Sequence, residues 1–193
     1  MRKFGLKACL ALALSAAMVL TACGATWVAT MDTIIASAAP ALVSILQVAA
    51  IANGTTVDPA LVARINADAA AIKTLATDFA KASAAAQPAV CAQLQAAIAA
   101  YEADLPLVMK VAHVVDPNTQ QKIEELSALI AGLFASIEPL IPGCQASAVA
   151  VAKRPMPLPV KTFVQDYNAI MVKPVGIPAV DAATPALQLH VRK

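Results

Sequence analysis

Residues 115–140, VDPNTQQKIEELSALIAGLFASIEPL, are the stretch on which the fold turns. Ile123, Leu126, Ile130, Leu133, Ile137 and Leu140 recur at alternating steps of three and four, so on a 3.6-residue helix they share one face. Asp116 stands where an N-cap side chain accepts the free N–H groups of a first turn. Pro117 suits the first helical position, where its missing N–H leaves no hydrogen bond unmade. Pro142-Gly143 supplies the stop. A helix with one apolar stripe gains most of its stability by burying that stripe, so the rest of the chain has to provide partners.

The same opening occurs earlier. Val57-Asp58-Pro59 and Val115-Asp116-Pro117 are each followed at the same offset by a basic residue and Ile, namely Arg64-Ile65 and Lys122-Ile123. This pattern fits two related helical hairpins, and in an Ala-rich chain it also arises by chance. After Asp58, with Val57 placed to staple against Val62, a stripe of Leu61, Ile65, Ala69 (or Asp68), Ile72, Leu75 or Ala76, and Phe79 runs to about Ala84, with Arg64 and Asp68 paired on its flank. Between the two openings, Cys91, Leu94, Ile98, Tyr101, Leu105, Val108 and Ala112 predict a third helix from Pro88 to about His113, bent by Pro106.

Ahead of both, Ile34, Ala38, Leu42, Ile45 and Ala49 predict a first helix over Thr30–Ala52, stopped by Asn53-Gly54. Either it kinks at Pro40 or it begins there. Ile34–Ala52 carries no charge, but Ser37, Ser44, Gln47 and Pro40 lower its apolarity and no basic flank follows, which favours a core helix over a membrane span. Four helices joined by short breaks predict an all-α, up-down-up-down four-helix bundle, with the turns near Asn53–Val57 and Val114–Gln120 at one end and Gln87-Pro88 at the other. Beyond it, Lys153-Arg154-Pro155-Met156-Pro157-Leu158-Pro159 reads as extended and polyproline-like. Val160, Phe163, Val164, Tyr167, Ile170 and Met171 then predict a short amphipathic helix near 160–172 that docks on the bundle. The remainder, with Pro174, Pro178 and Pro185, reads as an irregular, mobile end.

The amino terminus has a different character. Arg2, Lys3 and Lys7 precede an apolar run from Ala8 to Leu20, too short to span a bilayer comfortably, and Leu20-Thr21-Ala22-Cys23 follows. This segment resembles the signal peptide and lipobox of bacterial lipoproteins. The resemblance covers the first two dozen residues only. It implies cleavage after residue 22, a diacylglycerol on the Cys23 thiol and an acylated new amino group, together a stable tether. With Gly24 rather than Asp after the cysteine, it implies the periplasmic face of the outer membrane. The domains are then 1–22, a cleaved signal; 23–152, the helical bundle; and 153–193, a basic Pro-rich tail. Of Cys9, Cys23, Cys91 and Cys144, the first leaves with the signal and the second is lipidated, so Cys91 and Cys144 are expected to pair in an oxidising compartment. In a hairpin turning near Asp116 they lie about 25 residues before and about 28 after the turn, matching depths at about 1.5 Å per residue.

Removal of the signal changes the charge. The chain has 14 basic and 12 acidic residues, and loss of Arg2, Lys3 and Lys7 leaves 11 against 12, which gives no basis for binding nucleic acid. Residues 23–152 hold five basic and ten acidic side chains, and residues 153–193 hold six basic and two acidic. Three destinations are open to the tail cations Lys153, Arg154, Lys161 and Lys173: anionic lipid headgroups, the acidic bundle itself, or an envelope protein partner.

No catalytic, cofactor or metal site emerges. Only His113 and His190 are present, and no Ser-His-Asp order, H-E-x-x-H, phosphate-binding Gly loop or C-x-x-C spacing occurs. Non-covalent haem is disfavoured, since Met31 belongs to the opposite end from His113 and Met109 to the same helix. The expectation is a non-enzymatic, membrane-anchored lipoprotein acting as a structural or protein-interaction module; the alternative is a carrier of an apolar ligand or lipid between loosely packed, Ala-rich helices.

Overall fold

The computed structural model describes residues 5–137, 141 and 159–190, with side chains from Trp27 onward; within them the chain is helix and turn, with no strand. Helix α1 (Gly5–Asn53) is the central element, and α2 (Pro59–Lys81) and α5 (Pro117–Phe134) pack along it. α3 (Gln87–Glu102) lies against α2, and α4 (Asp104–Val111) against α1 and α5. α6 (Val160–Met171) and α7 (Pro178–Ala183) complete the packing around α1, and α6 also rests on α5.

α1 continues through Pro40. The proline removes one backbone donor, but Ile34, Ile35, Ala38, Leu42, Ile45 and Ala49 on either side of it are buried, so tertiary packing outweighs the local cost of about 3 kcal/mol. Its stretch Trp27–Asn53 is long and apolar enough to cross a membrane, and 67% of the most apolar window is buried inside the fold. At its end Gly54 adopts φ 64°, which lets the Thr55 N–H reach back to the Ala50 carbonyl at 2.8 Å in a glycine-dependent C-cap.

Both Asp-Pro openings cap their helices. Asp58 accepts from the Ala60 N–H at 2.9 Å, and Asp116 from the Thr119 N–H at 2.7 Å. The α2 stripe is buried at Ile65, Ala69, Ile72, Ala76 and Phe79. The α5 stripe is buried at Ile123, Leu126, Ile130, Leu133 and Ile137, while Leu140 and Pro142-Gly143 lie outside the described residues.

Two expectations are corrected. The third helix is two helices, broken at Ala103. Pro106 has no N–H for the Glu102 carbonyl four residues back, and its ring crowds that carbonyl, so the break falls one turn before the proline. The carboxyl-terminal end is ordered and packed, with Val175, Val180, Thr184 and Leu189 buried. Side-chain to backbone bonds hold it. Asp181 accepts from the Val175 and Gly176 N–H groups at 2.8 and 3.1 Å. The Asn168 amide donates to the Leu189 carbonyl at 2.8 Å and accepts from its N–H at 2.7 Å. A short 3-10 turn (Thr184–Leu187) closes the segment. The amphipathic helix expected near 160–172 is α6, and it buries Phe163, Val164, Tyr167 and Met171.

Candidate functional site

α1 contains the position of Cys23, but the Cys23 side chain, Cys144, Lys153 and Arg154 lie outside the described residues. Cys91, in the first turns of α3, is disulfide-bonded. Lys161 is exposed on α6. Lys173 pairs with Glu125 of α5 at 3.3 Å, so this tail cation folds back onto the acidic body. Glu125 also accepts from Gln121 at 3.0 Å, and these two donors hold its carboxyl below the usual range, Gln121 first. The His113 carbonyl accepts from the Asn53 amide at 3.0 Å, which brings the turns after α1 and α4 together. Among the described residues no three His, Cys, Asp or Glu side chains gather as a metal site.

Two buried charges were missed in the sequence. Arg64 lies 3.8 Å from Asp68, its expected partner, but only 2.8 Å from Asp104, whose side chain is 0% exposed. Burial pushes the Asp104 carboxyl up, Arg64 opposes this, and Asp68 adds to it. The Tyr101 hydroxyl is buried nearby, and burial first, then Asp104, raises its pKa far above the phenol value. Asp104 falls three residues after Tyr101 and four before Val108, on the buried phase of its helix; that phase was the available signal. Lys122 is 4% exposed, and its ammonium donates to the Met171 carbonyl at 2.8 Å, at the carboxyl end of α6. Burial lowers its pKa, with Asp181 opposing. Each ties two elements together: Asp104, fully buried beside Arg64, joins α4 to α2, and Lys122, at the edge of a hollow of about 270 Å³ beside α6, joins α5 to α6.

Two apolar surfaces stand open among the described residues. On α4 and in the turn that follows it, Leu107, Val111 and Val115 come at four-residue steps and are 37%, 55% and 92% exposed. Along the α1–α2 seam lies a trough of about 440 Å³, lined by Ala36, Pro40, Val43, Val62 and Ala70 among others. Lys73, which bonds Asp32 at 2.8 Å, crosses its lower end, and beyond this bar the seam continues as a second hollow of about 370 Å³ lined by Val28, Ala29, Ala76, Ala80 and Lys81.

No family profile, curated protein or solved structure matches this chain. Its functional reading therefore rests on its own side chains. Neither open surface carries a nucleophile beside a base. The upper walls of the trough are mainly apolar, with Asn66 and Lys73 as their polar groups, and its lower end adds Asp32, Thr77 and Lys81.

Proposed function

We propose that the chain is a lipid-anchored extracytoplasmic helical module, tethered through Cys23 to the periplasmic face of the outer membrane, that docks an envelope protein at the end of the body farthest from the tether. In this reading α1, α2, α3–α4 and α5 run as an up-down-up-down frame. Trp27 and Phe79, whose rings meet edge to face at 5.7 Å, mark the membrane end, and the Asn53–His113 contact marks the far end. The observation that carries the reading is the exposed run Leu107, Val111 and Val115 at that far end. An apolar run left in water is the usual sign of a surface awaiting a partner.

A photo-crosslinking residue placed at Val111 or Val115 in cells tests this directly. One discrete protein adduct is expected from each position and none from Lys161. Uniform labelling at all three positions, or none at the first two, defeats the docking surface. Cys23→Ser tests the tether separately: the acyl mass increment disappears and the chain leaves the membrane fraction.

A further inference from the structure

Between Trp27 and Asn53 most of α1 is covered, but the described part of the tail reaches only part of it. α6 and α7 pack against α1, with α6 resting on α5 as well, while the trough on the α1–α2 seam stays open. The uncovered stripe of α1 is Asp32, Ala36, Pro40 and Val43, at steps of four, four and three, so the one charge lies at its lower end and the rest is apolar. Facing it, α2 contributes Val62, Asn66, Ala69, Ala70 and Lys73. Alanines on both helices let the seam sink between them, and from Lys73 the upper hollow follows α2 to Val62, about 16 Å at the helical rise. That run, apolar but for Asn66, suits one extended hydrocarbon chain. The upper hollow alone, at about 440 Å³, lies within the range of small-molecule sites.

Charge narrows the occupant further. Residues 23–152 are acidic, with five basic side chains against ten acidic ones, yet two of those five, Lys73 and Lys81, line this seam. Asp32, the only acidic group among the described residues lining it, is 58% exposed, so its bond to Lys73 is a surface ion pair that a competing carboxylate can replace at little cost.

We infer that the α1–α2 trough binds a single long-chain fatty acid, its carboxylate on the Lys73 ammonium and its hydrocarbon chain laid over Ala36, Pro40, Val43 and Ala70 toward Val62. The ligand exchanges Asp32 for its own carboxylate at Lys73 and removes the apolar stripe of α1 from water. This inference goes beyond the docking reading and does not depend on the tether.

The test uses the full mature chain with Cys23→Ser, purified without detergent, and palmitate, palmitic acid methyl ester and a fluorescent fatty acid as probes. Native mass spectrometry is expected to show one palmitate per chain, and displacement of the fluorescent probe to give about tenfold weaker binding for the ester, which lacks the charge. Ala70→Leu fills the trough and Lys73→Gln removes its cation. Each is expected to weaken palmitate about tenfold, while Ala63→Leu, on an exposed position of α2 outside the trough, leaves it unchanged. Circular dichroism and the melting temperature of each variant establish that it is folded. Absence of palmitate binding overturns the inference. Equal binding of ester and acid overturns the role of Lys73, and undiminished binding by folded Ala70→Leu overturns the location. A crosslink at Val115 alongside any of these failures leaves the docking reading intact.

Discussion

The segments that open at Val57-Asp58-Pro59 and Val115-Asp116-Pro117 are alike in sequence and part company one residue before the core begins. Ile65 and Ile123 are both fully buried, as their shared phase requires. The basic residues preceding them behave differently: the Arg64 side chain is 49% exposed and reaches across to a buried Asp104, whereas Lys122 is itself buried and ends on a backbone carbonyl. Local sequence thus sets where each helix starts and which face is apolar. What becomes of the adjacent charge is decided by the neighbour, which is α4 with an acid on its buried phase for α2, and the carboxyl end of α6 for α5. Arginine suits the first role, since a long delocalised cation can reach inward while staying partly hydrated. Lysine suits the second, since one compact ammonium satisfies one carbonyl.

The largest effect is expected where the comparison is broken on the α2 side. Arg64→Ala strands Asp104 in an apolar setting without its counter-charge. Breaking a buried pair costs about 3–5 kcal/mol, but Arg64 is half in water and Asp104 can relieve itself by taking up a proton, so a loss of about 2–3 kcal/mol is expected in urea unfolding. Lys122→Met, which removes the ammonium but keeps most of its bulk, relieves the burial of a charge while leaving the Met171 carbonyl short of a donor. It should cost about 1 kcal/mol. If the two substitutions cost the same, Asp104 is not a stranded charge and the contrast between the segments disappears.

Next in size are two opposite pH dependences. Burial holds the Asp104 carboxyl above 3.8, so between 3.8 and its raised value the folded chain binds more protons than the unfolded chain, and stability falls as pH rises through that interval. Lys122 is the mirror case. Burial holds its ammonium below 10.5, the unfolded chain binds more protons between the lowered value and 10.5, and stability rises with pH there. Neither slope can exceed about 1.4 kcal/mol per pH unit for a single proton. Asp104→Asn is expected to flatten the acid-side slope and leave the alkaline one, and Lys122→Met the reverse, in denaturant unfolding measured across pH. An unchanged acid-side slope in Asp104→Asn would remove Asp104 as its source.

These contrasts also show how far the sequence could be read. Asp58 and Asp116 cap their helices as their Asp-Pro setting predicts, and the apolar stripes of α2, α5 and α6 are buried in register, because capping and helical phase are local properties. The break at Ala103 was misplaced onto Pro106, since a proline acts on the carbonyl four residues behind it. The end of the chain read as irregular because Asn168 and Asp181 order it through side-chain to backbone bonds, which leave no periodic trace. Among the tail cations the charge was visible but the destination was not: whether Lys173 meets lipid or Glu125 depends on where α6 lands. The α1–α2 trough was invisible for the same reason, since alanines at helical spacing describe a tight seam and an open one equally well.

The smallest expected effect tests how that tail is seated. The Tyr167 hydroxyl of α6 is buried and donates to the Ala41 carbonyl of α1 at 3.1 Å, one residue beyond Pro40. Burial raises its pKa far above the phenol range, so the hydroxyl keeps its proton and remains a donor at neutral pH. The Ala41 carbonyl sits inside a continuous helix and accepts from the backbone four residues on, so removing the hydroxyl leaves no acceptor unsatisfied. Tyr167→Phe should therefore cost only about 0.5–1 kcal/mol, the net worth of one neutral hydrogen bond. The ring itself, packed 5.8 Å from that of Phe163, contributes by area, so Tyr167→Ala should cost several times more, about 3–5 kcal/mol by analogy with other buried aromatics. Hydrogen exchange at Leu189 and Val175 separates the two effects. If Tyr167→Phe already exposes those amides, the hydroxyl and not the ring seats the tail on α1, and the tail is held as Lys122 is held, by a single polar contact to backbone.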